Sequence, residues 1–225
     1  MRSEKIIAIG DIHGCPKSLA ALLGKLSAYS GATYVFLGDY IDRGPDSKGV
    51  IDLLMAFQTK EKCVFLRGNH EEMMLQAAID GDSKMWTVNG GDRTLKSFGF
   101  RRWPEDFLAS HYYPFINETL MYYDTEAFMF VHAGMNPHVS IQTNFEWDNV
   151  DNFLWERSHV REKEIEWEKP VVFGHTPMRV PMNEPLKIGI DTGCCYAYHR
   201  HYGKLTAVVL PDRIFIQQPY IDTNP

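Results

Sequence analysis

The stretch Ile6-Ile7-Ala8-Ile9-Gly10-Asp11-Ile12-His13-Gly14 opens with four apolar residues and breaks abruptly into glycine, carboxylate and imidazole. A short uninterrupted apolar run reads as a strand buried on both faces, and the polar cluster at its carboxyl end as the loop that leaves it. The arrangement recurs. Residues 34–37 run into Gly38-Asp39-Tyr40-Ile41-Asp42-Arg43-Gly44, and residues 63–66 precede Gly68-Asn69-His70-Glu71. Residues 128–131 end at His132-Ala133-Gly134, and residues 171–173 at Gly174-His175-Thr176. Between the first two runs, Pro16 suits a first helical turn and Leu19, Leu22, Leu23 and Leu26 follow at helical spacing, with Gly31 as the stop. Val50, Ile51, Leu54 and Phe57 repeat the pattern after Pro45. Strand, loop, helix, strand is the βαβ unit, which lays helices on the faces of a sheet, so the expected class is α/β.

The second half reads differently. The later runs, at 128–131, 171–173, 188–190 and 205–210, are expected to follow one another with little helix between them, and 205–210 pairs with 214–216 around Pro211-Asp212-Arg213 as a hairpin. A mixed or antiparallel sheet is expected there. Residues 80–126, rich in aromatics (Trp86, Trp103, Tyr112, Tyr113, Tyr122, Tyr123) around Asn89-Gly90-Gly91-Asp92, read as a mostly helical excursion whose rings serve chiefly to pack it onto the body. The polar tail 221–225 is expected to fray.

Composition narrows the function. The 225 residues are 44% apolar and 23% charged, typical of a globular chain with a core of its own, and are expected to form one domain over 1–225. A net charge of -6 disfavours a nucleic-acid polymer as partner. No apolar run approaches membrane length, and Cys15, Cys63, Cys194 and Cys195 lack both C-x-x-C spacing and scaffold density, so a reduced, cytoplasmic setting without a membrane is expected. Cys194 and Arg200 have the C-x5-R spacing of a cysteine phosphatase, but no glycine between them can turn backbone amides onto a phosphate. Two small buried side chains are the expected role of Cys194 and Cys195.

Side chains at the carboxyl ends of neighbouring strands converge on one rim, where open α/β sheets place ligands. Pooled there are Asp11, His13, Asp39, Asn69, His132 and His175. Any one could be a satisfied core polar group or a helix cap, but five such clusters at five strand ends make that explanation untenable together. Carboxylate, imidazole and amide oxygen without thiolate suit Mn, Fe, Zn or Co in open coordination. Six ligands exceed the needs of one catalytic ion, and two ions sharing a carboxylate use them economically.

Gly-Asp-Ile-His-Gly, Gly-Asp-Tyr-Ile-Asp-Arg-Gly and Gly-Asn-His-Glu, in that order, resemble the signature of the metal-dependent phosphoprotein phosphatases, within the calcineurin-like metallophosphoesterases. The likeness continues through Val131-His132-Ala133-Gly134, Leu154-Trp155-Glu156-Arg157, Gly174-His175-Thr176-Pro177 and Ile190-Asp191-Thr192-Gly193. It is greatest to the short bacterial and phage serine/threonine phosphatases. The resemblance implies a two-sheet β-sandwich flanked by helices. It implies one divalent ion, most simply Mn, on Asp11, His13 and Asp39, and a second on Asp39, Asn69, His132 and His175. It further implies Arg43 and Arg157, with Asn69, on the substrate phosphate, His70 as proton donor to the leaving group, and Asp42 orienting His70. Two ions would lower the pKa of a shared water for direct attack on phosphorus. Related phosphodiesterases carry Gly-His-x-His at the last motif; here Pro177 takes the second histidine's place, which points to the monoester-cleaving branch.

The implied substrates are phosphoserine and phosphothreonine proteins, with phosphotyrosine as a further one. A dinucleoside polyphosphate (diadenosine tetraphosphate) hydrolase with the same ligands is the alternative, and a catalytically silent phosphate-binding scaffold ranks below both because no member of the constellation is missing. His111, His138, His159, His199 and His201 fit no cluster and read as surface or structural residues.

Overall fold

In the computed structural model, which describes residues 5–29, 31–146 and 150–223, two five-stranded sheets lie face to face. The first has the order β10-β9-β1-β2-β3, with β1 at Ile6–Ile9, β2 at Thr33–Phe36, β3 at Lys62–Phe65, β9 at Lys204–Leu210 and β10 at Ile214–Pro219. The second is β4-β5-β6-β8-β7, with β4 at Tyr122–Asp124, β5 at Met129–Val131, β6 at Val171–Phe173, β7 at Met182–Asn183 and β8 at Lys187–Gly189. β1, β2 and β3 run parallel, as do β5, β6 and β8. Their carboxyl ends therefore open onto a common rim.

The period-2 alternation of a strand assigns each residue to a layer. Ile6, Ala8, Val35, Leu37 and Val208 meet Phe130, Val172 and Ile188 between the sheets. Ile7, Ile9, Tyr34 and Phe36 face the other way, against α1 (Pro16–Leu26) and α2 (Ser47–Phe57) through Leu19, Leu22, Val50 and Leu54. On the far side Met129, Val131 and Phe173 pack with Ile141, Phe153 and Trp167. Both sheets are thus covered on both faces, which is why the strands read as continuous apolar runs. Pro16 does open α1, and α2 is capped by the Asp46 carboxylate, which accepts from Gly49 N at 2.9 Å. A third helix, α3, occupies Asn69–Asp80.

Three expectations need correction. The excursion is mostly helical, but its last residues form β4, an edge strand too short and too exposed to leave an apolar signal. Between β5 and β6 the chain makes helices at Ile141–Glu146 and Val150–Trp155 rather than passing almost directly from strand to strand. The tail is docked through Asp222: its carboxylate accepts from Lys17 N at 2.6 Å and Ser18 N at 2.9 Å and pairs with the Ser18 hydroxyl, filling the anion place at the start of α1. Residues 224–225 of that tail lie outside the described residues.

Candidate metal centre

The loops that leave the parallel strands hold their functional residues in unusual backbone conformations. His13, Asp39, Asp42, Arg43 and His175 have φ of 48°, 52°, 70°, 64° and 62°. Arg213, in the β9–β10 turn, is the other non-glycine residue of this kind among the described residues. Each such residue costs about 1–3 kcal/mol, so the loops must be held by compensating contacts. The buried Glu71 carboxylate supplies them, accepting from Asp39 N at 2.8 Å and Tyr40 N at 2.8 Å, from Ile41 N at 3.3 Å and from Gly68 N at 2.9 Å. Gly38 lets the β2 and β3 loops touch, since a Cβ there would stand 2.5 Å from Gly68 N.

Asp39 lies between two groups of ligand-type atoms. His13, Asp39 and His70 present donors within 4.8 Å of one another, and so do Asp39, His132 and His175. Oδ2 of Asp39 is 3.4 Å from His13 Nε2, while Oδ1 is 3.4 Å from His132 Nε2. His13 Nδ1 donates to Ile41 O at 2.9 Å and His132 Nδ1 to Leu37 O at 2.8 Å, which leaves both Nε2 lone pairs facing inward. Burial pushes both imidazoles toward the neutral form. His132 Nε2 therefore meets Asn69 Oδ1 at 3.0 Å and Asp39 Oδ1 at 3.4 Å, three acceptors turned on one point. Asn69 Oδ1 is also 2.9 Å from His175 Nδ1.

The carboxylates are crowded in the same way. Burial, then Asp191 and Asp39, push Asp11 up, and burial together with Asp39 pushes Asp191 up to about 7. Burial acts upward on Asp39 too, but His132, His70, His13 and Arg43 outweigh it and hold it well below the usual carboxylate range. Converging lone pairs and repelling carboxylates are what a bound dication relieves, so the donor set fits divalent metal.

Each residue singled out in the sequence is at this rim. Asp11 belongs to neither group but accepts on both oxygens from His175 N, at 3.1 and 3.0 Å, and the third member of the group with His13 and Asp39 is His70, from the start of α3. Arg43 donates from Nη1 to His13 Nε2 at 2.6 Å, and Arg157 from Nε to His175 Nε2 at 2.9 Å. His70 Nδ1 donates to Asp42 Oδ2 at 2.6 Å, while its Nε2 is buried without a partner, 4.0 Å from Asp39 Oδ2. Burial alone would lower the His70 pKa; Asp39 and Asp42 reverse this and raise it.

Comparison with known proteins agrees with this geometry. The sequence profile described as Calcineurin-like phosphoesterase matches residues 4–208. The chain is a calcineurin-like phosphoesterase. It is 31% identical over 196 residues to "Serine/threonine-protein phosphatase 1" of Salmonella typhimurium, covering 84% of this chain and 86% of that one. It is also 26% identical to "Bis(5'-nucleosyl)-tetraphosphatase PrpE [asymmetrical]" of Oceanobacillus iheyensis, over 96% of this chain and 94% of that one. Among solved structures, the cold-active protein-tyrosine phosphatase of a Shewanella species shares the fold, with TM-score 0.66 at 18% identity over 98% of this chain and 79% of that one. The phosphoesterase is thus a hydrolase of a family that uses divalent metals.

Four further residues serve the phosphoesterase site. Glu71 and Asp191 lie within the quoted motifs but carry no local sign of their contacts. Trp86 and Thr94 come from the excursion: Trp86 Nε1 donates to Asp42 Oδ2 at 2.9 Å and Thr94 Oγ1 to Asp42 Oδ1 at 2.6 Å. Trp86 does pack as expected, buried and 4.8 Å from the Trp103 ring, but its N–H also holds the aspartate behind His70. Cys194 is buried and Arg200 exposed, so the C-x5-R match forms no site.

His159 is a structural residue with a measurable signature. Fully buried between Trp167 and Phe173, it has no hydrogen-bond partner on either ring nitrogen, and burial lowers its pKa from 6.5 to about 4. Between those values the unfolded chain binds a proton that the native one refuses, so stability falls as pH drops from 6.5 toward 4. The loss attributable to this ring is about 3 kcal/mol. His159→Leu should flatten the pH dependence of urea-unfolding free energy by that amount over this window. Identical slopes for the two proteins would show that His159 is not buried neutral.

Proposed function

We propose that the protein is a phosphomonoesterase of phosphoserine and phosphothreonine proteins, with phosphotyrosine as a further substrate, working with two divalent ions, most simply Mn, in the cytoplasm. Asp11, His13 and Asp39 would hold one ion, and Asp39, Asn69, His132 and His175 the other. Bound there, the ions supply an acidified water for direct hydrolysis and polarise the phosphoryl oxygens. The chain's own residues do the rest. Arg43 and Arg157, which donate to His13 and His175, would pair with phosphate oxygens, because a planar guanidinium matches them bidentately. Asn69, with its Oδ1 between His132 and His175, adds an amide beside the same oxygens.

The observation that carries this reading is His70. Its Nδ1 is fixed by Asp42, its Nε2 is free and faces Asp39, and two carboxylates favour its charged form. A positioned imidazolium is of most use where the leaving group is a poor one, as the serine alkoxide is. Pro177 in place of a further histidine and the 31% identity to a serine/threonine phosphatase support the same reading. No helix among the described residues is long and apolar enough to cross a membrane.

A second reading, hydrolysis of dinucleoside polyphosphates, is favoured by the likeness to the tetraphosphatase PrpE over nearly the whole chain. One assay separates the two. With Mn²⁺, a phosphoserine peptide should be cleaved with at least about tenfold higher kcat/KM than diadenosine tetraphosphate; a reversed ratio would establish the second reading. Exhaustive chelation should abolish turnover on both and Mn²⁺ should restore it. Full activity in a sample shown by elemental analysis to be free of metal would end the two-ion account.

A further inference from the structure

A groove of about 360 Å³ opens beside Arg43, between the kinked segment Thr87–Gly91 and the 194–198 segment that follows β8. Asn89, Gly90 and Arg93 form one wall; Tyr196 and Tyr198 stand on the other. Arg43 joins it to the metal centre, with Nη1 on His13 Nε2 and its guanidinium carbon 5.6 Å from the centroid of the Tyr196 ring. The close fit depends on Gly90, whose φ is 107° and where a Cβ would stand 2.8 Å from Arg43 N. A phosphate held at Arg43 would have this groove beside it.

The groove's chemistry is specific. Arg93 is exposed and, among the described residues, has no ion pair and no side-chain hydrogen bond, in a chain where acidic residues outnumber basic ones by 29 to 23. Apart from Arg43, no other cation lines the space. Tyr198 is 78% exposed and Val88 85%, so apolar surface stands open around the charge. One guanidinium balances one carboxylate; a polyphosphate chain, with several charges, would need more.

We propose that this groove is a recognition subsite for the residue flanking the phosphorylated one, and that it selects an acidic side chain, with Arg93 as its counter-ion and Tyr198 covering the aliphatic stem. The proposal rests on the phosphoprotein reading above. Arg93 touches no reacting atom and sets specificity only.

The test uses matched phosphoserine peptides carrying Glu, Ala or Lys next to the phosphoserine, with p-nitrophenyl phosphate as the substrate too small to reach the groove. Wild type should prefer the Glu peptide over the Lys peptide by about three- to tenfold in kcat/KM, mainly through KM, and the preference should shrink at about 0.5 M salt. Arg93→Glu should reverse the order, Arg93→Lys should retain much of it, and both should cleave p-nitrophenyl phosphate within about twofold of wild type. An order unchanged by Arg93→Glu overturns the subsite while leaving the phosphoprotein reading intact. A wild-type enzyme active on p-nitrophenyl phosphate and diadenosine tetraphosphate but on none of the peptides overturns both.

Discussion

Asp39→Asn is expected to lower kcat on a phosphoserine peptide by at least about 10³-fold and to deplete both ions together, because charge stabilisation by metal is worth several kcal/mol and each decade of rate is about 1.4 kcal/mol. The reason is geometric. One oxygen of Asp39 faces His13 and the other faces His132, so a single substitution removes the negative charge from both groups. The variant should still fold. Asparagine tolerates the left-handed backbone that Asp39 adopts at φ 52°, and its carbonyl oxygen can still accept the His70 N–H that Asp39 Oδ1 accepts at 3.1 Å. Asp39 also leads the charges that raise the His70 pKa, so the loss compounds a metal defect with a weaker proton donor. Elemental analysis beside kinetics is the check: a variant that retains two ions per chain and works within tenfold of wild type would show that Asp39 does not bridge.

Much of this arrangement was legible in the sequence for one physical reason. Strands covered on both faces must be apolar at every position, so they stand out as runs, and where the runs stop the polar side chains have to be at the rim. Gly10-Asp11, Gly38-Asp39 and Gly174-His175 are readable in that way without any knowledge of the fold. Contacts made across long sequence separations were not. Trp86 and Thr94 reach Asp42 over 44 and 52 residues, and Asp222 caps α1 over a separation of more than 200. Nothing around Trp86 separates a ring that only packs from one that also donates a hydrogen bond, and a single aspartate in a polar tail reads as solvated. Glu71 was hidden differently: it stands inside a recognised motif, but its four amide donors lie on loops whose unusual backbone angles no residue preference announces, apart from the glycines beside them. β4 escaped because three residues at a sheet edge, two of them exposed, carry no apolar run.

The His70 and Asp42 pair gives the second large effect, and its signature is a dependence on leaving group. A serine alkoxide needs a proton as the bond to phosphorus breaks, whereas p-nitrophenolate barely does. General acid catalysis is worth about 10²–10⁴-fold, so His70→Asn should cost a factor of that order in kcat on phosphoserine peptide and visibly less on p-nitrophenyl phosphate. Asp42→Asn should show the same bias more mildly, since the imidazole keeps its place but loses part of what favours its charged form. Trp86→Phe, which removes one N–H from the Asp42 carboxylate and leaves the aromatic packing, should be milder still. Metal content separates proton donation from ligation, a distinction that matters because His70 lies within 4.8 Å of the donors of His13 and Asp39. If His70→Asn loses the same factor on both substrates and is depleted in metal, the imidazole supports the ions and the proton must come from elsewhere. A loss confined to the alkoxide substrate, with both ions retained, assigns the proton to His70 Nε2, the buried nitrogen that no protein group satisfies.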